Sequence, residues 1–254
     1  MNRDIGADRW KIKIAYDGTN FHGWQRQNEF RTVQGEIENA ILPLSHGREL
    51  VPVYGSGRTD AGVHAHGQIA HFDLKREITP VKLYRAINGN LRKNDVKVMS
   101  AEKVDSQFDA RRSAVSKEYR YRIWNAEIME PLERLTHTHV SKPIDIDAMR
   151  TASAYFIGTH DFAAFSANPL REIESTVRTV NFIDIISTPP RLEIRVNGNG
   201  FLYKMVRSIA GFLISVGTGR EKPEAVTEIM NSRIRTARVE SAQPQGLTLW
   251  QVNY

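Results

Sequence analysis

The chain has 254 residues, 41% of them hydrophobic and 25% charged, and it has no cysteine. That length buries a large core, as one big domain or two of ordinary size. The missing cysteine excludes disulfides, thiolate metal sites and a cysteine nucleophile, and fits a reducing compartment. Lys and Arg outnumber Asp and Glu by 35 to 29, which permits a polyanionic partner, although clustering decides affinity for phosphate backbones. Residues 1–9 carry no apolar core and 209–216, the longest greasy stretch, is far too short to span a bilayer; a cytoplasmic protein without membrane contact is expected.

Trp10, Ile12, Ile14 and Tyr16 alternate with Lys11, Lys13 and Ala15, the period of a half-buried strand. Asp17-Gly18 ends it, and a loop over 19–31 carries Phe21, His22, Trp24, Gln25 and Arg26. Aromatics mixed with arginine suit nucleobase contacts; a loop packed on its own tryptophan fits the same residues. Val33, Ile37, Ala40, Ile41 and Leu44 keep helical spacing behind Thr32 as N-cap. A strand over 51–54 leads into a Gly-rich stretch, and a strand over 67–74 leaves it. Thr79-Pro80 opens a helix with Leu83, Ala86 and Ile87 on one face and Gly89 closing it, and 96–104 is a further strand. This half runs β-α-β-β-α-β, the order of the split βαβ or ferredoxin-like unit.

Residues 106–117 hold Arg111, Arg112 and Lys117 and run into a strand with Tyr119, Tyr121 and Ile123 on one face and Arg120, Arg122 and Trp124 on the other. A basic, aromatic strand suits RNA, and an amphipathic strand with two core tyrosines has the same pattern. A helix is expected over 145–157 with Gly158 as C-cap, then a loop over 159–165 with His160 and Asp161. Strands follow over 177–186 and 192–196, and a tight turn at Asn197-Gly198-Asn199-Gly200. Met205, Ile209, Phe212, Leu213 and Val216 make an apolar helix; a short helix after Pro223 and a closing strand over 247–252 complete the chain. Alternating strands and helices in both halves predict two α+β lobes with a cleft between them.

The chemistry concentrates at Gly55-Ser56-Gly57-Arg58-Thr59-Asp60-Ala61-Gly62-Val63-His64. Its glycines free the backbone for a tight turn between two strands, and Asp60 stands two residues from Arg58. The same residues also describe a surface Arg–Asp pair. His64, His66 and His71 are the metal candidates, but on a strand 64 and 66 share a face that 71 does not, which leaves two ligands and no third. There is no Walker loop, and a glycosidase would need a second carboxylate. One carboxylate beside an arginine suits a reaction at a sugar carbon that uses no water.

These residues resemble the active-site motif of the TruA family of tRNA pseudouridine synthases. Further stretches agree in order: Tyr16-Asp17-Gly18 with Phe21-His22-Gly23-Trp24-Gln25, Thr32-Val33-Gln34-Gly35, Lys117-Glu118-Tyr119-Arg120-Tyr121, Gly158-Thr159-His160-Asp161-Phe162, Gly200-Phe201-Leu202-Tyr203-Lys204-Met205-Val206-Arg207 and Gly246-Leu247-Thr248-Leu249. Arg112 stands where an aromatic is expected, and Gln243 where a proline is common; neither touches the motif. The resemblance implies isomerisation of uridine to pseudouridine at tRNA positions 38, 39 and 40 in the anticodon arm, by a homodimer with no metal and no cofactor. It implies Asp60 as the catalytic aspartate, Arg207 as its partner, Tyr119 stacked on the target base, and Arg58 as the arginine that helps displace the nucleotide.

The fold expected is α+β, with two ferredoxin-like lobes of mostly antiparallel sheet: 1–106 with the Asp60 loop and 107–254 with Tyr119 and Arg207. An ionised Asp60 can attack C1′ or take a proton from the sugar, and the residue types do not choose between these routes. The competing reading from another class is a non-catalytic basic RNA-binding or tRNA chaperone protein.

Overall fold

The computed structural model describes residues 6–45, 49–167 and 174–254. Residues 1–5 of the N-terminal stretch considered above lie outside the described residues. Two compact units are present: Met1–Val115 with Leu249–Tyr254, and Ser116–Thr248.

The first unit contains β1 (Asp8–Tyr16), α1 (Val33–Ile41), β2 (Tyr54–Gly55), β3 (His64–Leu74), α2 (Pro80–Asn90) and β4 (Val96–Lys103). Strand β1 lies between β4 and β3, antiparallel to both, and β2 pairs with β3, the sheet order of the expected split βαβ unit. Trp10, Ile12 and Ile14 are fully buried at alternate positions of β1, and Ile37, Ile41, Leu83 and Ile87 from the two helices join the same core. Each such side chain contributes about 1.5–3 kcal/mol by leaving water. Thr32 caps α1 by accepting from Gly35 N, and Thr79 caps α2 by accepting from Lys82 N.

Two predicted boundaries change in this unit. The strand expected over 51–54 shortens to β2, although Val51 and Val53 are buried. Helix side chains satisfy that backbone instead of a strand: Val53 N donates to Glu38 Oε1 at 3.1 Å, and Val53 O accepts from Gln34 Nε2 at 3.0 Å. Helix α2 also runs through Gly89 to Asn90, with Leu91 N donating to Ile87 O at 3.2 Å.

Residues 107–115 belong with this first unit, whereas the sequence expectation divided the chain after 106. Arg9 Nη1 donates to Phe108 O at 2.9 Å, Ala110 N donates to His71 Nδ1 at 3.0 Å, and Val115 N donates to Asn253 O at 2.8 Å. The C-terminal residues return beside β3, where the Trp250 ring stacks on His66 at 4.4 Å. A side chain at Gly67 would collide with Trp250 O, so glycine is required for that approach.

One ion pair ties the 19–31 loop to the start of β4. Arg31 donates to both oxygens of Asp95, at 2.7 and 2.9 Å, and these bonds hold the Asp95 carboxyl below its usual range. A depressed carboxylate stabilises the fold above its unfolded pKa, and that stability is lost as pH falls through the folded value. Asp95→Asn is therefore expected to cost about 1 kcal/mol at pH 7. The cost should shrink below about pH 4, as urea unfolding at both pH values would measure.

The second unit contains β5 (Ser116–Trp124), β6 (Thr138–His139), α3 (Ile146–Ala154), β7 (Gly158–Asp161), β8 (Val177–Thr188), β9 (Arg191–Gly198), α4 (Met205–Gly217) and α5 (Ala225–Ser232); β10 (Leu247–Asn253) begins at its end. Strands β5, β9, β8 and β7 pair in that order, antiparallel, and β6 adds to β5 in parallel. In chain order the unit runs β5-β6-α3-β7-β8-β9-α4-α5 before β10. Both units are α+β with mostly antiparallel pairing, as expected. Helix α4 is buried along almost its whole length. Gly211 lets it meet the 240–242 segment, because a Cβ there would strike Glu240 O.

Part of the loop expected over 159–165 is instead strand β7, paired with β8. Helix α3 ends at Ala154 rather than 157: Tyr155 N and Phe156 N donate to Ala152 O and Ser153 O in a tightened last turn, and Gly158 takes φ +109° to start β7. Strand β6 was not anticipated, since two residues show no alternation.

Candidate active site

In the first unit Asp60 and Arg58 sit on the loop that joins β2 to β3. Asp60 is half-buried and Arg58 exposed, whereas Ser56 and Thr59 are buried. The loop closes on itself where Val63 N donates to Asp60 O at 3.2 Å. It is also bonded to the 17–25 segment: Trp24 N donates to Thr59 O at 3.0 Å, and Gly62 N donates to Phe21 O at 3.3 Å. Glycine is needed at 18, where a Cβ would strike Val63 O, and at 23, where φ is +87° and a Cβ would lie 2.5 Å from Thr59 O.

Phe21 and Trp24 are therefore not free for nucleobases; the packing alternative holds. Both are buried, and their rings lie 6.3 and 6.5 Å from that of Tyr16. His22 is exposed and stacks on Phe30 at 4.2 Å. Gln25, also exposed, accepts from Arg58 Nε at 2.9 Å and orients that guanidinium.

The three histidines of β3 part company. His64 Nδ1 accepts from Gly18 N at 3.0 Å and lies 3.2 Å from Asp17 Oδ1. His66 stacks on Trp250, and His71 Nδ1 accepts from Ala110 N. Among the described residues no three His, Asp or Glu side chains gather as a metal-binding group.

In the second unit Tyr119 lies on β5 opposite Val196 of β9, buried, with Phe201 edge-on at 5.3 Å. Arg207 is the third residue of α4. Its Nε donates to Ala242 O at 2.8 Å, and Ala242 N returns a bond to Arg207 O at 2.9 Å. Tyr121 is a core residue rather than a ligand contact: its hydroxyl bonds Thr138 Oγ1 and donates to Gln243 O. Burial pushes that phenol up to about 12 against the opposing pull of the Arg207 charge.

The basic face of β5 is paired with carboxylates. Glu118 takes Arg120 Nε at 2.8 Å, Glu193 takes Arg195 Nε at 2.7 Å, and Arg120 and Arg122 reach Glu193 at 3.5 Å. Arg111 and Arg112 remain exposed, with their backbone N–H groups bonded to Asp109 Oδ1.

Residues 12–111 and 152–254 match the family model described as tRNA pseudouridine synthase. The chain belongs to the tRNA pseudouridine synthase family. It is an isomerase acting on tRNA. It is 43% identical to the tRNA pseudouridine synthase A of Bacillus pumilus over 96% of this chain and 98% of that protein. The tRNA pseudouridine synthase A of Bacillus subtilis is 41% identical over 97% and 99%, and that of Methylacidiphilum infernorum 40% over 96% and 95%. A solved Cbf5–Nop10–Gar1 complex aligns with 81% of this chain and 54% of that one at 12% identity and TM-score 0.34, too low to carry an argument.

Within this synthase Arg58, Asp60 and Arg207 fall inside the matched segments, and Tyr119 falls between them. Among the described residues no helix is long and apolar enough to cross a membrane.

Proposed function

We propose that this pseudouridine synthase modifies uridines 38, 39 and 40 of the tRNA anticodon arm, with Asp60 as the reacting carboxylate. The observation that carries this reading is the 55–64 loop. It carries a half-buried carboxylate and an exposed guanidinium on a backbone bonded at Thr59, Asp60 and Gly62. Family membership supplies the reaction class.

In this reading the N1–C1′ bond breaks, the uracil turns in place, and C5 joins C1′; C5 loses a proton and N1 gains one, so composition is unchanged. Asp60 acts at the sugar, by attack at C1′ or by removing a sugar proton. The target atom is hidden in a stacked base, so the nucleotide is flipped out at a cost of a few kcal/mol. Arg58, oriented by Gln25, holds the displaced strand or fills the vacated space. Tyr119 offers its ring to the extruded uracil, and Arg207 supplies the second guanidinium of the reaction. The working form is a cytoplasmic homodimer that needs neither metal nor nucleotide.

Mapping pseudouridines in unmodified tRNA incubated with the pure protein tests this directly. Product at 38–40 is expected. No pseudouridine anywhere would remove the activity, and product confined to other positions would remove the site assignment. Binding is also expected to weaken with salt, about 10-fold between 50 and 200 mM for two phosphate contacts and about 100-fold for four. A filter-binding series with a flat salt response would contradict a phosphate-dominated interface.

A further inference from the structure

Beneath the 55–64 loop lies a set of buried polar groups that the chemistry above does not use. Ser56 Oγ donates to Gln68 Oε1 at 2.7 Å, and Gln68 Nε2 donates to Gly57 O at 2.9 Å. Thr59 Oγ1 lies 2.8 Å from Tyr16 Oη. Ser56 and Gln68 are fully buried, and Tyr16 and Thr59 nearly so. The two hydroxyls thus act as pegs on either side of Arg58, and the second precedes Asp60 directly.

A neutral amide meets both demands at position 68. The Ser56 hydroxyl needs an acceptor and the Gly57 carbonyl needs a donor; an ionised glutamate supplies only acceptors, and leucine supplies neither. A loop with glycines at 55, 57 and 62 does not hold its own shape, because each of them has a wide range of backbone conformations to lose. Beside the backbone bonds to the 17–25 segment, the sheet supplies side-chain holding groups: β1 provides Tyr16 and β3 provides Gln68.

We propose that Gln68 is a positioning residue for the isomerisation: its amide clamps Ser56 and Gly57 and so sets the loop backbone that leads to Asp60. The inference rests on the reading of Asp60 as the reacting carboxylate. Aim of this kind matters because a misplacement of about 1 Å can cost roughly 100-fold in rate.

The test compares Gln68→Leu, Ser56→Ala, the double variant and Asp60→Asn in the full-length protein. Single-turnover rate at saturating enzyme, Kd for tRNA and urea midpoint are measured for each. Gln68→Leu is expected to lower the rate about 10- to 100-fold. Its Kd should stay within about 2-fold of wild type, the signature of an interaction expressed in the chemical step. Ser56→Ala should lose less, and the double variant no more than Gln68→Leu, because both act through one hydrogen bond. Wild-type rates in both single variants, or losses matched by weaker tRNA binding, overturn the inference. Should Gln68→Leu fail to fold, the smaller change Ser56→Ala decides, and an undiminished rate there overturns it. An active Asp60→Asn would remove the reading of Asp60 and this inference together; an inactive Asp60→Asn beside fully active Gln68 and Ser56 variants would remove the inference alone.

Discussion

Asp60→Asn is expected to abolish pseudouridine formation while tRNA binding stays within a few-fold of wild type. The substitution keeps the size and planarity of the side chain and removes its charge. A neutral amide neither attacks C1′ nor accepts a sugar proton, so both routes open to the carboxylate are closed. Removing a group that makes or breaks the reacting bonds costs on the order of 10⁴-fold or more in rate. The loop itself should survive, since its closing bond runs from Val63 N to the Asp60 carbonyl rather than to the carboxylate. Rate and affinity therefore separate in this variant. A non-catalytic RNA-binding protein predicts the opposite, no change in function and no product from the wild type. Substantial turnover by Asp60→Asn would remove the residue from the reaction.

Gly23→Ala is expected to produce the second largest effect, on stability and rate together. At φ +87° any L-residue pays roughly 1–2 kcal/mol in backbone strain. The new Cβ also lies 2.5 Å from Thr59 O and 3.2 Å from both Ala61 N and the Asp60 carbonyl carbon. Crowding of that kind adds about 1–3 kcal/mol, for a total near 2–5. Neither side yields easily. Gly23 O accepts from Val33 N at 3.2 Å, and Thr59 O accepts from Trp24 N at 3.0 Å. Relief means shifting residues 59–61, which carries Asp60 with it, so the single-turnover rate should fall as well as the urea midpoint. Gly89→Ala is the contrasting control: it lies in α2 with nothing within 4 Å of a Cβ, and alanine there should stabilise by up to about 1 kcal/mol. An unchanged rate and midpoint for Gly23→Ala would show that the 59–61 backbone is free to move.

Local order was legible wherever one side chain reported its own environment. Trp10, Ile12, Ile14 and Tyr16 alternate in the sequence and are buried at alternate positions of β1. Thr32 and Thr79 announce the starts of α1 and α2, because a hydroxyl ahead of an apolar repeat has one common use. The β-α-β-β-α-β order followed from these elements, and the observed sheet order β4-β1-β3 with β2 on β3 agrees with it. Short pieces were illegible. Val51 and Val53 alternate like a strand, yet side chains of α1 take up the Val53 backbone. Strand β7 carries Thr159, His160 and Asp161, residues that favour loops, and exists because β8 is beside it.

The candidate site divides in the same way. Asp60 and Arg58 stand out in the sequence as a carboxylate and a guanidinium between glycines, a pattern that a surface ion pair shares. Gln68 gives no such signal, because a buried polar side chain looks in the sequence like any other polar residue. Arg120 and Arg122 read in the sequence as an RNA surface or as the outer face of an amphipathic strand, and in the structure Glu118 and Glu193 lie beside them.

The order of amino acids by itself determined the reaction family, the candidate loop and the main strands and helices, since each depends on residue types and spacings along one stretch of chain. Only the tertiary structure decided which arginines meet carboxylates, which loop residues point inward, and which side chains hold the Asp60 backbone. Those outcomes depend on groups distant in the chain: Gln68 is 12 residues from Ser56, and Tyr16 is 43 from Thr59. A hydrogen bond is a property of two groups and the space between them, and that space is set by the fold.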